Sequence, residues 1–167
     1  ILSSIFSATR FPCNLLLKIN GLSIISHVVR KAENANIGEV YVATEDEEIL
    51  NDVKKNGGQA ILTSKHHKTG TDRICEALDK LKKSNIELVM NLQGDEPLMN
   101  IEDIKNLHEL MIKTDAKLGT LASNIFDKNL YRDQDSVKVV TKENINNFRF
   151  SEATNFMRIV ENENKNT

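Results

Sequence analysis

Excess charge of either sign is missing: 22 Lys and Arg stand against 24 Asp and Glu, a net charge of −2. A chain without a large basic field is not built to take nucleic acid as its main partner. Cysteine is scarce. Cys13 and Cys75 lie far apart, form no CxxC pair and outline no disulfide framework, so a reducing cytoplasm is the simplest setting. No apolar run approaches the roughly 18–20 residues that span a bilayer, so no membrane partner is expected. No basic stretch leads an apolar one at Ile1-Leu2, so no signal peptide is expected. An initiating Met is absent too, and at least the first residue is expected to be missing. No internal repeat is visible. The 167 residues are 40% hydrophobic and 28% charged, the composition of one soluble domain with a real core.

Apolar spacing alternates between helix and strand along the chain. Leu22, Ile25, Val28, Val29 and Ala32 form a helical stripe over 21–36. Residues 39–44 (EVYVAT) read as a strand with Val40 and Val42 on one face. A helix over 46–56 is expected to bury Ile49, Leu50 and Val53, with Gly57-Gly58 ending it. A short strand follows over 59–63, then a helix over 72–83 bearing Ile74, Cys75, Leu78 and Leu81. The nearly continuous apolar run 86–92 predicts a strand at the centre of a parallel sheet. Residues 101–114 read as a helix, and 117–122 and 137–141 as strands. Glu161–Thr167 is polar, without apolar pattern, and is expected to be disordered. Strand–helix alternation predicts an α/β fold, a Rossmann-like and mostly parallel sheet with helices on both faces. Ligands of such sheets sit beyond the carboxyl ends of the strands, which directs attention to residues 3–14, 66–73 and 93–97.

Each of these loops has a chemical and a plainer reading. In Gln93-Gly94-Asp95-Glu96-Pro97, a carboxylate at a strand end suits Mg²⁺, which takes one or two carboxylates together with substrate phosphates. Gly94 permits a sharp turn or a close approach. The same residues also suit an ordinary strand-to-helix turn. Residues 63–73 (TSKHHKTGTDR) enter a helix that Thr71 is placed to cap, with N–H groups open to an anion or a base edge. The neighbouring His66 and His67 make a poor zinc pair, since adjacent residues rarely converge on one metal. Ser7-Ala8-Thr9-Arg10-Phe11-Pro12 follows the first strand, where hydroxyls and an arginine suit phosphate; a surface loop is the plainer alternative. His27 and His108 sit in predicted helices without an evident role.

Read together, the loops form a pattern. Residues 1–20 (ILSSIFSATRFPCNLLLKING), VATED at 42–46, TSKHHKTGTDR at 63–73, NLQGDEP at 91–97 and VKVV at 137–140 follow in order the signatures of one group. The chain resembles the 3-deoxy-manno-octulosonate (Kdo) cytidylyltransferases, the CMP-Kdo synthetases, whose fold is of the nucleotide-diphospho-sugar transferase type. The resemblance implies that Kdo attacks the α-phosphate of CTP, giving CMP-Kdo and pyrophosphate for lipopolysaccharide biosynthesis. It implies Mg²⁺ held by Asp95, which with Arg10 would be catalytic. Ser7, Thr9 and Arg10 would meet the triphosphate. Gly70, Thr71 and Arg73 would face the cytidine, and Gln93 the sugar acid. CMP-sialate synthetases share the fold and match less well.

The sequence departs from that pattern where charge is needed. An Arg of the family is Ile5 here and a Lys is Asn14; both normally meet the triphosphate. The loop Gly is Cys13, the flanking prolines are Ser3 and Leu15, and the family's YFSR is Arg149-Phe150-Ser151-Glu152. Residues 1–160 are expected to form a nucleotidyltransferase domain that is incomplete at its C-terminus, lacking a second metal ligand and much of a homodimer surface. Each lost charge-stabilising donor costs a factor of roughly 10²–10³ in rate. The expectation is a degenerate or split member, weakly active or inactive alone, completed by a separately encoded C-terminal part or surviving as a non-catalytic or decayed nucleotide-binding remnant.

Overall fold

A computed structural model describes residues 2–7, 15–145 and 149–159. In chain order its elements are β1 (Leu2–Ser7), β2 (Lys18–Ile19), β3 (Leu22–Ser23), α1 (Ile24–Ala35), β4 (Gly38–Thr44), α2 (Glu47–Lys55), β5 (Gln59–Leu62), α3 (Gly70–Leu81), β6 (Leu88–Gln93), α4 (Ile101–Lys113), α5 (Lys128–Arg132), β7 (Lys138–Thr141) and β8 (Ala153–Met157). They divide into two compact units, Ile1–Ile104 and Lys105–Thr167.

The first unit is built on a parallel sheet of order β5-β4-β1-β6. β4 is buried on both faces from Val40 to Thr44, which is why five consecutive residues there carry no charge. Tyr41 and Ala43 point one way and pack with Ile74 and Ala77 of α3, with Ile61, Leu78, Leu81 and Val89 around them. The alternate residues point the other way, towards α1 and α2. Those helices are tied to each other by Ser23 and Ser26, whose hydroxyls both donate to Asp52, the second at 3.1 Å. Helices therefore cover both faces, as the alternation predicted.

Several expectations are corrected. The apolar run 86–92 is a strand, but β6 lies at the edge of this sheet among the described residues. Its pattern is a one-sided alternation, Met90 and Leu92 buried, Asn91 and Gln93 exposed. Periodicity over so short a run does not separate a central strand from an edge strand. In α3 the buried stripe is Ile74 and Ala77, with Leu78 and Leu81 half-buried, whereas Cys75 is exposed. Leu50 is half-buried, not fully buried as expected of α2. Residues 117–122 form no strand; Leu118 is 93% exposed, and the alternation there finds no partner edge among the described residues.

The second unit contains an antiparallel hairpin of β7 and β8. Lys138 is its anchor. The side chain is 1% exposed, and its ammonium donates to the carbonyls of Asp133, Ser136 (2.9 Å) and Arg158 (3.0 Å). An ammonium has three N–H donors, so the burial cost is met by a complete set of acceptors.

Candidate nucleotide-binding edge

Parallel pairing brings the carboxyl ends of the strands to one edge. Ser7 of β1 lies opposite Ala43 of β4 and opposite Gln93 of β6. From β1 the chain moves outward through β4 and β5, then returns to the other side of β1 as β6. That reversal is the point at which open α/β sheets form a ligand crevice, and its floor is Ser7 beside Gln93.

Three loops rise from this edge. After β6, Gly94 is buried where a Cβ would come within 3.0 Å of Ile25 Cδ1 and 3.9 Å of the Leu15 methyls. Glycine here lets the loop pack closely on α1. α1 also holds the far end of the loop, through Lys31 Nζ donating to the Met99 carbonyl at 2.9 Å. Between these anchors Asp95 and Glu96 are exposed. No group of three His, Cys, Asp or Glu side chains gathers as a metal site among the described residues. Asp95 and Glu96, exposed carboxylates at the edge, fit a hard cation that arrives with phosphates, because Mg²⁺ keeps most of its shell as water and substrate oxygens.

The loop between β5 and α3 is set by hydrogen bonds. Thr69, not Thr71, caps α3: its hydroxyl accepts the Asp72 N–H at 3.1 Å and donates to the Asp72 carboxylate at 2.7 Å. The T-x-x-D spacing of TGTD carries this cap, and α3 begins at Gly70, two residues before the start predicted at 72. Gly70 and Thr71 consequently occupy the first turn, half-buried and exposed, with N–H groups that no earlier helical carbonyl can accept. Glu76 holds the loop from below. It accepts the Ser64 N–H at 2.9 Å and is paired with Lys80 at 2.7 Å and with His67. The Lys80 hydrogen bond first, then those of His67 and Ser64, bring the Glu76 carboxyl down to about 2. His67 is therefore engaged as a structural partner of Glu76, a role its sequence position did not reveal.

The third loop follows β4, and Arg73 joins it to the second. Arg73 is fully buried. Nη1 donates to Thr63 Oγ1 at 2.7 Å and to the Ser64 carbonyl at 3.3 Å, while Nη2 pairs with Glu45. Of the three residues assigned to the cytidine, Gly70 and Thr71 stay at the helix start, whereas Arg73 is turned into the protein. Gln93 is exposed at the end of β6. Ser7 ends β1; Thr9, Arg10, Cys13, Asn14 and the 161–167 tail lie outside the described residues.

Comparison with known proteins gives this edge a context. The sequence profile of the cytidylyltransferases matches residues 3–165. The chain belongs to the cytidylyltransferase family. A 3-deoxy-manno-octulosonate cytidylyltransferase of Thermodesulfovibrio yellowstonii is 43% identical over 145 residues, 83% of this chain and 57% of that protein. One from Photorhabdus laumondii is 36% identical over 154 residues, covering 92% and 62%. The solved structure of a CMP:2-keto-3-deoxy-manno-octonic acid synthetase complexed with CTP matches with a TM-score of 0.76 at 30% identity, over 95% of this chain and 64% of that one. A cytidylyltransferase of Leptospira borgpetersenii, at 21% identity and a TM-score of 0.56 over 68% and 49%, shares the fold. The chain spans less than two thirds of the length of these relatives. No helix among the described residues is long and apolar enough to cross a membrane.

Proposed function

We propose that this cytidylyltransferase chain binds CTP at the carboxyl edge of its parallel sheet and serves transfer of CMP to Kdo with release of pyrophosphate. The observation that carries the reading is the meeting of Gln93–Pro97 with the end of β1 at the point where the sheet order reverses, in a chain 43% identical to a Kdo cytidylyltransferase. Ser7, Thr9 and Arg10 are proposed for the triphosphate, Gly70 and Thr71 for the cytidine and Gln93 for the sugar acid.

The proposed chemistry follows from charge. Phosphoryl transfer builds negative charge on phosphate oxygens and demands in-line positioning, so the protein's task is to orient groups and supply donors. Asp95 is the residue proposed to hold Mg²⁺. When bound, the ion would supply Lewis-acid stabilisation of the phosphate oxygens. Gln93 ends the strand beside β1, opposite Ser7, a position that suits a second substrate. The first-turn N–H groups of α3 favour a polar or anionic edge.

An 8-amino-3,8-dideoxy-manno-octulosonate cytidylyltransferase of Shewanella halifaxensis, 38% identical over 152 residues, supports the 8-amino sugar acid as a second acceptor. The deciding measurement is Mg²⁺-dependent pyrophosphate release from CTP with either sugar acid, for the unaltered chain and for Ile5→Arg/Asn14→Lys. Release only from the double variant places the defect in the two cations missing at positions 5 and 14. Release from neither, with CTP still bound, assigns this chain the nucleotide-binding role alone. Failure of both to bind CTP rejects the reading.

A further inference from the structure

We propose that Glu45 and Arg73 act as positioning residues for the nucleotide, a bracket that sets the loops after β4 and β5 against the first turn of α3. The proposal rests on CTP as the ligand of this edge. It gives a role to Glu45, the first of the two acidic residues of VATED, which the residues assigned to substrate leave unexplained.

The geometry is that of one side chain joining three chain segments. Arg73 leaves the first turn of α3, is 0% exposed, and reaches Thr63 and Ser64 beyond β5 and Glu45 beyond β4. A planar guanidinium presents its donors in a rigid fork, so fixing two arms on two loops fixes the angle between them. Nε–H is buried with no hydrogen-bond partner among the described residues. Burying this cation is therefore not the most stable way to fill the space, since an apolar side chain of similar volume would leave no donor orphaned. What an apolar residue cannot do is hold Glu45, Thr63 and Ser64 in one register. Ser64 is gripped a second time through its N–H, by Glu76. The loop that delivers Gly70 and Thr71 to the edge is thus held by Arg73 on one side and Glu76 on the other.

Glu45 is the sensitive end of the bracket. Its side chain is 35% exposed, so the pair opens to solvent at the edge and is not sealed in the core. Removing its charge leaves the buried guanidinium without a counter-ion and frees the loop after β4. The consequence should be read in nucleotide affinity, because donors displaced from the ligand lose binding even when the fold survives.

The test is calorimetric titration of the whole chain with CTP and Mg²⁺, at a temperature below every melting point. The proteins are the unaltered chain, Glu45→Gln, Arg73→Lys, the double variant and Val53→Ala. Val53 is buried at the far end of α2 and reports destabilisation alone. Each bracket variant is expected to weaken Kd roughly tenfold, as residues sharing one hydrogen-bond network do, and the double variant no further than the worse single. Val53→Ala is expected to melt lower with Kd unchanged. Should Glu45→Gln not fold, Glu45→Asp, which keeps the charge and shortens the reach, carries the same comparison. Bracket variants that melt lower yet bind CTP like the parent overturn the proposal, as do single losses that multiply in the double variant. An unaltered chain that binds no CTP rejects the site reading itself and takes the bracket with it.

Discussion

Replacing Gly94 by alanine tests whether α1 sets the height of the loop that carries Asp95. The added methyl would sit 3.0 Å from Ile25 Cδ1, the end of a side chain with 0% exposure. Overpacking of a filled core costs about 1–3 kcal/mol, and the lower end applies here because a terminal methyl has to yield by only a few tenths of an ångström. Gly94 is not among the glycines with positive φ, so alanine fits the backbone and recovers about 0.4–1 kcal/mol by restricting the unfolded chain. The net loss expected in urea denaturation is therefore small, about 0–0.6 kcal/mol. The informative variant is Ile25→Val, which deletes the clashing Cδ1. Alone it costs about 0.5–1.5 kcal/mol for the lost methyl. Combined with Gly94→Ala it removes the clash while the new methyl fills the space, so the double variant should be more stable than the sum of singles by about 1 kcal/mol. Losses that simply add, within about 0.5 kcal/mol, would refute the contact and with it the claim that α1 positions this loop.

Three further outcomes are expected. Because the folded Glu76 carboxyl lies at about 2, below its ordinary 4.5, its contribution to stability is complete above pH 4.5 and is lost as pH falls towards 2; Glu76→Gln should flatten the acid limb of a melting-temperature–pH curve in that window and leave a smaller difference in high salt. Thr69→Ala should cost about 1 kcal/mol through loss of the α3 cap, against a few tenths for Thr71→Ala, as measured by thermal unfolding. Lys138→Met should leave buried carbonyls without a donor and cost about 1–3 kcal/mol, seen as faster amide exchange across β7 and β8.

The family and the site region were legible because both are written locally. A strand running into NLQGDEP and a polar segment running into a helix are short-range patterns, and parallel strands must end at a common edge whatever the side chains do. Helix stripes such as Ile25, Val28, Val29 and Ala32 were read correctly for the same reason: each is decided within a few turns. The cap falls on Thr69 instead of Thr71 because α3 starts at Gly70, two residues before the start that the apolar stripe over 72–83 predicts.

What the sequence by itself determined is therefore the alternation of elements, the faces they bury and the loops available for chemistry. Tertiary structure alone decided which strand is at the edge among the described residues, that Gly94 packs on Ile25 of a distant helix, and that Arg73 turns inward to Glu45 twenty-eight positions away. These are pairings between residues far apart in the chain. Hydrophobic pattern fixes which side of an element is buried, but the partner a buried charge finds depends on which loops the strand order brings together.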